Sequence, residues 1–201
     1  DPYAIYARHI LDLEPLPPLE QEPDAADYGT LVHRILDAFA DRYPAELAAD
    51  LPDDAEAELI ELGRQRFQDV LFHPAAWAFW WPRFLRIANW FVAREQVDRS
   101  EIKQIWSEVF GTLEFDGTEG TFLLTAKADR VDLLTDGTLR IIDYKTGAAP
   151  SATEVKAGFA PQLPLEALIA GESGFNDLPA ADVAALDYWR LRGSVPPGEV
   201  I

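Results

Sequence analysis

Ala126-Lys127-Ala128-Asp129-Arg130-Val131-Asp132 and Ile141-Ile142-Asp143-Tyr144-Lys145-Thr146-Gly147 are the two stretches on which the reading of this chain turns. Both are rich in β-formers, and Gly and Asp lie between them. This predicts strands over 121–134 and 138–145 joined by a hairpin. Residues two apart in a strand share a face, so Asp143 and Lys145 project together. A carboxylate able to bind metal then stands beside an amine able to orient water or help deprotonate it.

The turn decides whether Asp129 joins them. If Asp136-Gly137 is a two-residue loop, Asp143 faces Arg130 and Asp129 points away. If Thr135-Asp136-Gly137 is a three-residue loop with Gly137 left-handed, Asp129 sits opposite Asp143. The second register also pairs Asp132 with Arg140 across the strands. It gathers Val131, Leu133, Leu139 and Ile141 on one face, and it is the register favoured here. The alternative is an ordinary surface pair of Asp143 with Arg130 and a solvated Lys145. Against it, Asp143 follows the apolar run Leu139 to Ile142, broken only by Arg140. An acid at the end of a buried strand needs a partner or a metal.

Outward from the hairpin, residues 102–115 read as a preceding strand and 183–192 as a last one. Residues 153–170 read as a helix between them. Upstream, helices are expected over 3–13, about 28–43, from Asp53-Asp54 to about Phe72, and over 75–97, with an exposed Pro-rich loop at 14–27. The aromatic residues of 75–97 are assigned to a core rather than to base stacking. The order predicts an α/β (α+β) fold, a mixed central sheet flanked by helices. A single domain of 1–201 is expected, with a helical part over about 1–99 and an αβ core over about 100–193.

Composition narrows the chemistry. The chain has 201 residues and no cysteine, so thiolate metal sites and cysteine nucleophiles are excluded. Any metal must take oxygen and imidazole ligands, which favours Mg²⁺ or Mn²⁺. No apolar run approaches the ~20 residues of a membrane span. No signal peptide is read at the start, and a cytoplasmic setting without membrane contact is expected. The absence of methionine suggests a fragment of a longer polypeptide. The net charge of -18 argues against generic nucleic-acid binding. Weak DNA affinity is therefore expected of the isolated domain, no tighter than about micromolar. Its contacts are expected from the stretch Arg83 to Lys103 and from the cleft rim.

Segment Asp129 to Gly147 resembles the signature of RecB/AddB-like nuclease domains in the PD-(D/E)xK superfamily, where an Asp precedes a hairpin ending in Asp-Tyr-Lys-Thr-Gly. Gly29-Thr30-Leu31-Val32-His33 is similar to the family's helical His motif. Pro161-Gln162-Leu163-Pro164-Leu165 is similar to its Gln motif. The three stand in the family's order. The resemblance implies a restriction-endonuclease-like core and metal-dependent hydrolysis of DNA, with a single strand delivered by an AddA-like helicase subunit during double-strand break repair. It implies catalytic roles for Asp129, Asp143, Lys145 and Gln162, the last orienting water or a phosphate. It implies metal ligands from His33, Asp129, Asp143 and the Tyr144 backbone carbonyl. Glu108, on the first strand, is either an acid behind these ligands or a simple polar strand residue. Many relatives hold an iron–sulfur cluster with four cysteines; none is expected here. The family often has an aromatic four residues after the Gln, where this chain has Glu166. The competing readings are a catalytically silent scaffold with the same fold and a stand-alone nuclease.

Overall fold

The computed structural model describes residues 2–13, 22–44, 50–70, 73–118 and 120–201. Helices α1 (Pro2–His9), α2 (Ala25–Arg42), α3 (Ala55–Arg66) and α4 (Pro74–Asp98) lead into strands β1 (Ile102–Gly117), β2 (Gly120–Leu134) and β3 (Leu139–Lys145). Helices α5 (Ala152–Lys156) and α6 (Gln162–Gly171) then cross to β4 (Val183–Leu191), and β5 (Gly198–Val200) ends the sheet. The strand order is β1-β2-β3-β4-β5, antiparallel except for the parallel pair β3–β4. This is the mixed, helix-flanked α/β sheet expected from the sequence.

The hairpin adopts the three-residue register. Leu133 pairs with Leu139 and Asp132 with Arg140. Gly137 closes the loop at φ 88°, a conformation that suits glycine. Six of the seven β3 residues are buried, because helices cover both faces of this central strand. On one face α2 and α4 pack Val32, Ile35, Phe84 and Phe91 against Ile142, Tyr144 and Trp189, and Leu59 of α3 joins the same core. On the other, Val131, Leu139 and Ile141 meet Leu163 and Ile169 of α6.

Helix α2 begins at Ala25 rather than Tyr28, because Asp24 accepts from the Ala26 and Asp27 amides and Asp27 closes a reciprocal capping box. Buried Tyr28, Val32, Ile35, Leu36 and Phe39 form its core stripe. The expected helix over 153–170 is two helices. Gly158 at φ 79° ends the first, and Pro161 precedes the second. Helix α3 stops at Arg66 and gives way to a 3-10 turn at Phe67–Val70; Leu71 and Phe72 lie outside the described residues. Helix α1 ends at His9, and none of its residues is buried. The 14–27 loop is described only from Glu22 onward, and half of that part, Ala25 to Asp27, is the start of helix α2. Strand β5, which the sequence reading omitted, pairs with the end of β4. Of the α4 aromatics, Trp80, Phe84 and Phe91 are buried, whereas Phe79 is exposed.

Candidate active site

The β-sheet alternation slips by one residue where the site begins. Leu124, Ala126 and Ala128 face α6, and so do Val131 and Leu133. In β1, Ser107 and Val109 pair with Arg130 and Ala128, while Glu108 between them sits at φ 52°. A non-glycine residue held there costs about 1–3 kcal/mol and marks a place where surrounding structure dictates the backbone. The slip releases Asp129 from the face pattern. Its Oδ2 accepts from the Tyr144 amide at 2.8 Å, so the acid takes the place of a main-chain partner at the end of β3.

Helix α2 brings His33 to this point, one residue along from buried Val32. His33 Nδ1 lies 3.3 Å from Asp129 Oδ1, and its ring meets Tyr144 edge-on at 5.8 Å between centroids. His33, Glu108 and Asp129 each offer a ligand atom within 4.8 Å of the others. Glu108, left open between two roles by the sequence, stands among these candidate ligands. Its carboxylate also pairs with Lys127.

On the α6 side, Asp143 is buried, at 1% exposure. Its Oδ1 accepts from Gln162 Nε2 at 2.5 Å and from Lys145 Nζ at 2.8 Å. Lys145 Nζ also lies 2.6 Å from Oδ2, but no donor is aligned with that oxygen, which remains a buried acceptor without a hydrogen bond. Burial pushes the Asp143 carboxyl above its ordinary range, and Lys145 opposes that shift. Gln162 does more than the sequence anticipated: its Nε2 also reaches Glu166 Oε1 at 3.2 Å, and its Oε1 accepts from Lys145 at 3.3 Å. The amide therefore holds the acid and the lysine in fixed relation.

The residues fit a divalent cation. Three candidate ligands, His33, Glu108 and Asp129, already converge, and the buried carboxylate of Asp143, held by Lys145 and Gln162, stands behind them. The donor set is carboxylate oxygen with one imidazole, suited to Mn²⁺ and Mg²⁺.

A family model for the PD-(D/E)XK nuclease superfamily matches residues 2–200. The chain belongs to that superfamily. The family pattern names an acid two residues before a lysine, and this PD-(D/E)XK chain meets it with Asp143 and Lys145. Its relatives include an uncharacterized protein of Rickettsia typhi, 27% identical over 88% of this chain and 20% of the relative. Another, from Rickettsia felis, is 27% identical over 98% of this chain and 23% of the relative. The chain thus spans about a fifth of the length of the relatives it matches.

Two expectations follow from the electrostatics of this PD-(D/E)XK site. Burial opposes the charged form of His33, but its hydrogen bond to Asp129 and the charges of Asp129 and Asp143 outweigh it, raising its pKa above 6.5. The His33–Asp129 pair therefore stabilises the metal-free fold fully below pH 6.5 and loses that contribution as pH rises through the folded value. Metal binding has the opposite sign, because the ring must shed its proton to coordinate. Calorimetric Mn²⁺ titration from pH 8 downward should show affinity falling by up to about tenfold per pH unit through this titration. His33→Ala should flatten that dependence; an equally steep profile in the variant would remove His33 from the ligand set.

The second concerns Glu166, whose carboxyl is pushed up to about 7, first by burial and then by Asp143 and Asp129, while the Gln162 hydrogen bond opposes the shift. A folded pKa above the unfolded value gives stability that is present below about pH 4.5 and lost as pH rises through about 7. Glu166→Gln should raise stability by about 1–3 kcal/mol at pH 8 in EDTA. It should change little at pH 5. Thermal unfolding at both pH values checks this, and an equal effect at both would show that burial does not penalise the carboxylate.

Proposed function

We propose that the chain is a Mg²⁺- or Mn²⁺-dependent deoxyribonuclease domain acting on single-stranded DNA. The observation that carries this reading is the convergence of Asp129, His33 and Glu108 beside the buried Asp143–Lys145–Gln162 set. In this reading Asp129, Asp143, His33 and the Tyr144 carbonyl hold the ion, with Glu108 beside them. A bound ion would supply Lewis acidity there, making water a stronger nucleophile and offsetting charge that develops on the phosphate. Lys145 orients the attacking water and donates toward the phosphate oxygens as they gain charge. Gln162 keeps Lys145 and Asp143 in register, and Asp129 locks Tyr144 by its amide. Burial of Asp143 keeps water from weakening these interactions.

The domain is proposed to act within a longer protein, with an AddA-like helicase feeding it a strand in double-strand break repair. The net charge of -18 supports dependence on a partner for much of the phosphate contact. Labelled single-stranded DNA should be cut in Mg²⁺ and spared in EDTA, and a duplex of the same sequence should be cut more slowly. A duplex cut as fast as the single strand would overturn the strand preference.

A further inference from the structure

Many of the described cations are tied to carboxylates of the chain itself. Of the 83–103 stretch expected to face DNA, Arg94 is tied to Asp98, and buried Arg99 reaches the Tyr43 carbonyl and lies near Glu95. Arg83 and Arg86 differ: they have no carboxylate partner among the described ion pairs. Arg83 donates through Nε and Nη2 to the Arg192 carbonyl, at 3.1 and 3.0 Å. Arg86 donates to the Gly193 carbonyl at 2.6 Å. These contacts tie α4 to the end of β4 without neutralising either guanidinium. Gly193, at φ 61°, allows the approach, because a Cβ there would come within 2.4 Å of the Arg83 carbonyl.

The result is a cleft of about 420 Å³ lined by Arg83, Arg190, Arg192, Thr146, Gly147 and Ser194. Arg190 and Arg192 share one carboxylate, Glu199, so a net positive charge remains. Arg190 Nε is a buried donor with no hydrogen-bond acceptor. Such a donor is costly unless something accepts from it. The cleft opens at the C-terminal ends of the parallel strands β3 and β4, where open α/β sheets bind ligands. Arg190 lies in register with Lys145, one strand away. Neighbouring strands run about 4.8 Å apart.

We propose that this cleft holds a backbone phosphate of the DNA strand next to the one lying against Lys145. The inference rests on the nuclease reading for the identity of the strand, and on its own residues for the anion. Guanidinium forks match phosphate oxygens in two-point contacts, and Thr146 and Ser194 add hydroxyl donors. Arg83, Arg190 and Arg192 fix the path of the strand across the end of the sheet, while the acidic pocket holds the ion.

The test is binding of a fluorescent single-stranded oligonucleotide to the chain in EDTA, read by anisotropy over a range of salt concentrations. Without metal no cutting intervenes. Arg192→Gln and Arg190→Gln should each weaken binding about three- to tenfold and lower the salt slope by about 0.7 per lost phosphate contact. Glu199→Gln should tighten binding, because it frees both arginines; a purely structural role for the trio would make it weaken binding. If Arg190→Gln unfolds, Arg192→Gln still decides, since its side chain is 41% exposed and touches Glu199 only at 3.5 Å. Unchanged binding and slope in the glutamine variants would overturn the proposal. So would an arginine effect that vanishes when the oligonucleotide lacks a terminal phosphate, which would assign the cleft to strand ends. Arginine-dependent binding by a chain that cuts nothing in Mg²⁺ would uphold the cleft and defeat the nuclease reading. Mg²⁺-dependent cutting with arginine-independent binding would do the reverse.

Discussion

Asp143→Ala and Lys145→Ala are expected to fail in different ways. Asp143 offers a buried carboxylate oxygen with no hydrogen bond, so its loss should remove both Mn²⁺ binding and cleavage. Lys145 touches Asp143 and Gln162 but is a cation itself, so its loss should leave metal binding largely intact. Removing a nearby positive charge can even tighten the metal. Cleavage should still fall by about 10²-fold or more, the scale of losing a positioned electrostatic or proton-transfer group. Calorimetric Mn²⁺ titration beside single-strand cleavage separates the two. Equal loss of metal binding in both variants would mean that Lys145 serves chiefly to build the pocket.

The largest expected effect on stability lies on the opposite sheet face. Asp132 is fully buried and accepts from Arg130 at 2.5 and 3.2 Å, and from Arg140 at 3.1 and 2.7 Å. Arg130 also pairs with Glu95, and Arg140 with Asp98 at 3.0 Å. Desolvation opposes the charge on Arg130, but the flanking acids hold it firmly protonated. Breaking such a network by removing one member costs about 3–5 kcal/mol, because an uncompensated charge stays buried. Asp132→Asn should therefore lower stability by that amount in denaturant unfolding. As a control, Arg64→Ala, which breaks an exposed 3.9 Å contact to Glu61, should cost under about 1 kcal/mol. A loss no larger than the control in Asp132→Asn would show that the network contributes little to folding.

Local chemistry made the hairpin legible. The turn allowed two registers; the Asp132–Arg140 pair and the apolar face of Val131, Leu133, Leu139 and Ile141 favoured the one that carries Asp129 toward Asp143. His33 and Gln162 were found by motif order, and the structure sets His33 against Asp129 and Gln162 against Asp143 and Lys145. What stayed hidden depended on long-range contacts or on unusual backbone. Alternation alone gives no sign that Glu108 adopts a positive φ, so its place beside His33 and Asp129 was left open. Arg130 meets Glu95 across 35 positions, which no pattern within either segment reveals. Arg94 and Arg99 looked like DNA contacts because their carboxylate partners lay on the buried side of the same helix. The break between α5 and α6 was written in Gly158 and Pro161, but the apolar residues on either side made one helix look continuous. Strand β5 is three residues long, too short for a period-2 pattern to stand out.

The central claim is tested most directly by nucleotide release from labelled single-stranded DNA in Mg²⁺, comparing the wild-type chain with Asp143→Ala. The account predicts release by the wild type, none in EDTA, and none by the variant in Mg²⁺. Release by Asp143→Ala at the wild-type rate, or no release by the wild type in either Mg²⁺ or Mn²⁺, would contradict it.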